Sequence, residues 1–347
     1  MAEYTIVNAV APIRVCDIGG WTDTWFSGSG AIFNIAVYPY AEVQIHCRTE
    51  LDSSDQVGLT VENFGDTYSV DRKTSTYSKH PLLEAAIDLM SFPEDLSIRI
   101  NIYSDAPPGA STGTSAAVSV ALIAALDALT TGRLTPHEVA QLAHFIETEK
   151  LGLECGVQDQ IASAYGGINF IDMHSYPRAV VSPVQVPNSI WWELERRLSV
   201  IYIGAPHTSS EIHQRVISGL GDSPEEDERL SRMRRLARRA KDAMFEGDWI
   251  MLGTIMNENT DVQRMLHPDL VCPSFEEIIS IAGSYGALGC KVNGAGGDGG
   301  SITILSDGDM SRKRAMLREL GGRFTVLPIY LARQGLRIWK TSPRTVD

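Results

Sequence analysis

Ile98, Ile100 and Ile102 alternate with Arg99, Asn101 and Tyr103, the period of two that a strand shows when one face is buried. Pro107 and Pro108 end that strand, and residues 116–129 are then apolar almost all round apart from Ser119 and Asp127, which predicts a fully buried helix. Upstream, residues 6–15 and 32–47 predict two long strands, parted by the turn Ile18-Gly19-Gly20-Trp21-Thr22-Asp23-Thr24. Residues 49–80 are polar and predict a hairpin excursion, and residues 81–90 a short helix. Thr135-Pro136-His137-Glu138 predicts a helix start, with Thr as cap, Pro at the first helical position and Glu closing a capping box, for a helix over 136–150. Ser223-Pro224-Glu225-Glu226 repeats that logic and predicts the opening of a long helix with Leu230, Met233, Leu236, Ala237, Ala240 and Met244 on its buried face. The same helix carries Arg232, Arg234, Arg235, Arg238, Arg239 and Lys241; with acidic residues 225–228 before it and the apolar stripe intact, a solvated, salt-bridged face is expected rather than a nucleic-acid surface.

Composition narrows the class. At 347 residues the chain is long enough for two domains sharing a cleft, and the motif-rich first half gives way to plain amphipathic elements near residues 175–195, which predicts domains over 1–185 and 186–347. The excess of 43 acidic over 30 basic residues, a net charge of −13, argues against a nucleic-acid or anionic-membrane partner. Met1-Ala2-Glu3-Tyr4 lacks a basic region followed by an apolar core, and no run is apolar for long enough to span a bilayer; a cytoplasmic protein is expected. Five scattered cysteines predict reduced thiols, and eight histidines without metal-ligand spacing argue against zinc.

Two stretches carry candidate chemistry. The loop Pro108-Gly109-Ala110-Ser111-Thr112-Gly113-Thr114-Ser115 joins the predicted strand to the N-terminus of the buried helix, where free N–H groups and the positive end of the helix dipole suit a phosphate. It holds no lysine, so it is not a Walker A loop, and a tight turn into a core helix is the alternative. Residues 291–300, Lys-Val-Asn-Gly-Ala-Gly-Gly-Asp-Gly-Gly, satisfy Gly-x-Gly-x-x-Gly but precede a strand, so the dinucleotide reading fails and a turn that lets backbone approach closely is predicted. Glu147 falls at the edge of the apolar face in the last turn of the helix predicted over 136–150, where the dipole disfavours negative charge, so it needs a cation: a metal, or a nearby Lys or Arg.

Taken in order, Ala11-Pro12-Ile13-Arg14 with Gly19-Gly20-Trp21-Thr22-Asp23, the 108–117 loop, Gly156-Val157-Gln158-Asp159-Gln160 and Asn293 to Gly300 resemble the motifs of the GHMP kinases. Gly-Gly-Trp-Thr-Asp-Thr and Gly-Val-Gln-Asp-Gln are most similar to the fucokinase and heptose-7-phosphate kinase branch. Two departures stand out: Gly20-Trp21 where galactokinases carry Glu-His, and Ser111 where the family loop has glycine.

The resemblance implies an α+β, two-domain fold, with an N-terminal ribosomal-protein-S5-like α/β domain and a ferredoxin-like C-terminal domain. It implies an ATP- and Mg²⁺-dependent kinase that phosphorylates the anomeric hydroxyl of a sugar or sugar phosphate, as a monomer or homodimer. Asp159 and Arg14 would be catalytic, residues 108–115 would hold ATP, and Ser115 and Glu147 the metal. Gly20, Trp21, Asp23, Asp159, Asn293 and Gly294 would line the acceptor site. A kinase of a non-sugar alcohol, or a catalytically silent binder of sugar or nucleotide, stands as the alternative.

Overall fold

A computed structural model describes residues 4–49, 57–71, 76–93, 96–132, 134–204, 209–221 and 223–341. Its strands are β1 (Tyr4–Ile18), β2 (Gly30–Thr49), β3 (Val57–Val61), β4 (Asp66–Ser69), β5 (Leu96–Ser104), β6 (Ile168–Ser175), β7 (Arg178–Pro183), β8 (Leu198–Tyr202), β9 (Gly289–Val292), β10 (Ser301–Leu305), β11 (Thr325–Leu327) and β12 (Arg337–Thr341). Its helices are α1 (Pro81–Leu89), α2 (Thr114–Asp127), α3 (Pro136–Phe145), α4 (Gln158–Tyr165), α5 (Asn188–Arg197), α6 (Ser209–Ser218), α7 (Glu228–Glu246), α8 (Trp249–Leu266), α9 (Pro273–Ser284) and α10 (Met310–Gly321).

An eight-stranded sheet has six strands in the order β12-β1-β2-β5-β3-β4, with β6 paired to β2 and β7 paired to β6. The long β2 pairs with β1 along one edge and, along the other, first with β6 over 30–35 and then with β5 over 41–49. The predicted alternation in β5 is kept, with Ile98, Ile100 and Ile102 buried and Arg99 and Tyr103 exposed. Four strands in the order β11-β8-β10-β9 form a second, antiparallel sheet. Numbered along the chain that order is 4-1-3-2, with α10 between its third and fourth strands, the split β-α-β arrangement of ferredoxin-like domains. The architecture is α+β. Strand β12 returns from the end of the chain to pair with β1, so residues 337–341 belong to the first sheet. No helix among the described residues is long and apolar enough to cross a membrane.

Helix α2 is buried on every side and packs against β1, β2, α1, α3 and α4. Its first turn has Gly113 as N-cap, and no side chain caps it. Burial of Val120, Leu122, Ile123 and Leu126 contributes about 1.5–3 kcal/mol each. That outweighs the roughly 1 kcal/mol forgone at an uncapped end, so packing holds in place a helix terminus whose amides are left open.

The two predicted helix starts diverge. Thr135 and Glu138 form the expected capping box. Ser223-Pro224 does not start the long helix: residues 224–226 make a single 3₁₀ turn, and Asp227 caps α7 by accepting from the Arg229 amide at 2.8 Å. The predicted stripe on α7 is buried as expected. Its basic face pairs with Glu228 and Glu258, while Arg234 reaches back to Ser27 and to the carbonyl of Ser29. The helix after Thr135 also departs from expectation, passing from α to a π turn over Ile146–Lys150.

Candidate active site

Strand β1 delivers two charged side chains into apolar surroundings. Arg14 and Asp17 lie among Ile13, Val15, Cys16 and Ile18, and all are buried. Arg14 donates from Nε to Asp159 Oδ1 at 2.8 Å and from Nη2 to Oδ2 at 3.2 Å, and from Nη1 to the Ser111 carbonyl. Burial works against its charge, but Asp159 and then Asp17 outweigh it and hold the guanidinium pKa above its ordinary value. Asp159 sits in the first turn of α4, against the N-cap of α2: a Cβ on Gly113 would lie 3.1 Å from the Asp159 carboxyl carbon, and Gly113 has φ +71°. Only glycine brings the loop that close to the carboxylate.

All eight residues of the 108–115 loop line a cavity of about 660 Å³. Arg14, Trp21, Asp23, Glu147, Asp159 and Gly294 line it too. Ser111, in the family's glycine slot, has φ +56°, which places a side-chain-bearing residue in the left-handed region where its carbonyl meets Arg14.

Glu147 reaches this cavity from the π turn. It is 8% exposed and its Oε1 has no hydrogen-bond partner. Burial pushes its pKa up to about 7, with Asp159 adding to the rise and Cys155 and Gln160 partly opposing it. A buried carboxylate oxygen without a partner, on the same cavity as the Ser115 hydroxyl, fits a hard divalent cation that takes few protein ligands.

Asp23, also buried, accepts from the Gln158 amide at 3.1 Å. A Cβ on Gly156 would come within 2.0 Å of Asp23 Oδ2, so glycine there is what lets Asp23 reach that amide. Burial raises Asp23 to about 6, and the charge on Asp159 adds to it.

The far end of the cavity is one that sequence reasoning missed. Val61, Asn63, Phe64, Lys79, His80, Leu82 and Leu83 line it, drawn from the segment read only as a polar hairpin and from the helix after it, with Ile102 of β5. Phe64 within a polar run was the available signal, and in the structure 62% of its surface is exposed.

The GHMP kinases N-terminal domain model matches residues 81–167 and the C-terminal model residues 240–322. A Thermococcus sibiricus mevalonate kinase is 30% identical over 96% of this chain and 98% of its own length. This chain belongs to the GHMP kinase family. It is therefore an enzyme, an ATP-dependent kinase with an alcohol acceptor. The D-glycero-alpha-D-manno-heptose 7-phosphate kinase of Campylobacter jejuni is 28% identical over 96% of this chain and 99% of its own. Among solved structures, a D-glycero-D-manno-heptose 1-phosphate kinase from Bacteriodes thetaiotaomicron superimposes with a TM-score of 0.77 at 23% identity, covering 97% of this chain and all of that one. Lactococcus lactis galactokinase with galactose gives 0.70 at 16%, covering 96% and 95%.

Within the GHMP kinase motifs the geometry separates wall from scaffold. Asn293 was expected to line the acceptor site, but it is fully buried behind the wall: its Oδ1 accepts from the Cys16 amide and the Thr303 hydroxyl, and its Nδ2 donates to Ser301. Gly20 is likewise not a lining residue; it backs onto Asp17 and Gln158. Gly294 does line the cavity, and its amide donates to both oxygens of Asp17 at 3.1 Å. Asp17 also takes Lys291 Nζ at 3.3 Å, an ion pair with both partners 1% exposed that ties β1 to the Gly-rich turn. Sequence reasoning passed over Asp17, although a carboxylate inside an apolar strand demands a partner.

Proposed function

We propose that this GHMP kinase transfers the γ-phosphoryl group of ATP, held with Mg²⁺, to the anomeric hydroxyl of a sugar, giving a sugar 1-phosphate and ADP. The observation that carries the reading is the Arg14–Asp159 pair set against Gly113 at the open N-terminus of α2. In this reading the amides of the 108–115 loop and the helix dipole hold the phosphates, and the adenine occupies the Phe64 and Leu82 end. Glu147 and Ser115 would hold Mg²⁺, which neutralises phosphate charge when bound. Asp159 orients the acceptor hydroxyl and takes its proton as the sugar oxygen bonds to the γ-phosphorus and the bond to the ADP oxygen breaks. Arg14 keeps Asp159 ionised and stabilises charge on the moving phosphoryl group. Asp23 receives sugar hydroxyls, and Trp21 offers an apolar wall.

The heptose 7-phosphate kinase and a 24% identical bifunctional fucokinase/GDP-fucose pyrophosphorylase of Arabidopsis thaliana, of which this chain spans 31%, support a sugar acceptor. The mevalonate kinase similarity supports a non-sugar alcohol as second reading. An ADP-release assay over sugars and mevalonate, followed by ³¹P NMR of the product, tests the proposal. A phosphorus signal coupled to the anomeric proton is expected, and phosphate on any other oxygen overturns the 1-phosphate assignment.

A further inference from the structure

Several hydrogen-bond acceptors line the acceptor end of the cavity, beside the guanidinium of Arg14. Asp23 and Asp159 lie beside Gln158, whose side chain is turned by its Nε2 reaching Asp23 Oδ1 at 3.5 Å, and Glu154 stands exposed at the rim. Gln158 is 6% exposed and its Oε1, in the cavity wall, has no hydrogen-bond partner. Such an oxygen calls for a donor from the ligand.

The basic side chains that line the cavity among the described residues are Arg14, Lys79 and His80. Arg14 is held by Asp159 and the Ser111 carbonyl, and in the reading above it serves the moving phosphoryl group. Lys79 and His80 both pair with Asp66 on β4. In the sheet order β1-β2-β5-β3-β4, that strand lies four spacings from β1, roughly 19 Å away. These two therefore belong to the other end of the cavity. A phosphorylated sugar brings a second dianion that donates no hydrogen bond, and a hydroxy acid brings a carboxylate. Neither finds a free cation at this end among the described residues, and both meet carboxylates.

We propose that the acceptor is a neutral, unphosphorylated sugar, read through its hydroxyl protons by the oxygen-lined wall of Asp23, Gln158, Asp159 and Glu154. This rests on the sugar-kinase reading above and narrows it away from the phosphorylated acceptor named for the heptose 7-phosphate kinase relative.

The test measures ADP release on matched pairs: galactose and galactose 6-phosphate, mannose and mannose 6-phosphate, D-glycero-D-manno-heptose and its 7-phosphate. The neutral member of the active pair is expected to win by about 100-fold or more in kcat/KM, the scale of a like-charge clash. Glu154→Gln is expected to shrink that ratio severalfold; because both members are measured on one preparation, the ratio is independent of the folded fraction. A phosphorylated member turned over better than its neutral partner, or a ratio untouched by Glu154→Gln, overturns the proposal and leaves the sugar-kinase reading standing. Turnover of mevalonate with no activity on any pair overturns the sugar-kinase reading itself.

Discussion

Two carboxylates face the same cavity and are finished to different degrees. Asp159 has both oxygens on Arg14, and Arg14 is itself clamped to the loop carbonyl of Ser111. Glu147, more deeply buried, keeps an oxygen with no partner and its pKa rises to about 7. In the proposed reading the contrast matches two different roles. A carboxylate that must orient a proton is useful when its charge and position are fixed before the substrate arrives. One that must grip a cation is left incomplete, at a cost to the free protein that the ligand offsets.

Replacing the finished carboxylate is expected to have the largest effect. Asp159→Asn keeps the size and one of the two Arg14 hydrogen bonds, and turnover should fall on the order of 10²–10⁴-fold, with nucleotide affinity by calorimetry little changed. Near-normal turnover would remove Asp159 from the chemistry.

The unfinished carboxylate predicts an opposite signature in stability. Because the folded value of Glu147 is raised from 4.5 to about 7, the folded protein keeps a proton that the unfolded chain has released in that window. Its contribution is fully present below pH 4.5 and lost as pH rises through about 7, of order 3 kcal/mol. Glu147→Gln, neutral throughout, should lose less stability than the wild type between pH 5 and pH 8 in urea melts. Parallel pH profiles for the two would mean that Glu147 is paired after all.

Asp23 comes next. Asp23→Ala should weaken acceptor binding about 10- to 150-fold, the worth of a hydrogen bond to a charged group, while ATP affinity holds. Deoxy sugars lacking the hydroxyl that it reads should lose little further in the variant, and additive losses across all of them would count against the assignment.

The smallest effect sits far from the cavity. Asp227→Ala should cost about 1 kcal/mol through the lost cap of α7, and Ser223→Ala close to nothing. The reverse order would restore Ser223 as the helix start.

Much of this was legible in the sequence, for reasons that also mark where legibility stops. Periodicity in β5 and the apolar run of α2 located the strand and helix that frame the 108–115 loop, because burial imposes those periods. Arg14, Asp23 and Asp159 were picked out by motif and Glu147 by its place in the last turn of a predicted helix, and all four line one cavity. Asn293 was misplaced because a motif gives proximity to a site and not the direction of a side chain; three polar contacts behind the wall absorb it. Asp17 and Lys291 were missed because their pairing spans 274 residues, which no local pattern carries. Ser223-Pro224 misled because its cap chemistry is local, while Asp227, three residues on from Pro224, offers a cap that lets the buried stripe of α7 begin in register.

A magnesium titration of ADP release, run on the wild type, Asp159→Asn and Glu147→Gln with sugar and ATP saturating, tests the contrast between the two carboxylates most directly. The account predicts that Glu147→Gln raises the Mg²⁺ concentration for half-maximal rate by about tenfold or more, with much of the rate recovered at high Mg²⁺. It predicts that Asp159→Asn leaves that midpoint in place and lowers the plateau at least 100-fold. An unchanged midpoint in Glu147→Gln, or a plateau in Asp159→Asn that excess Mg²⁺ restores, would contradict it.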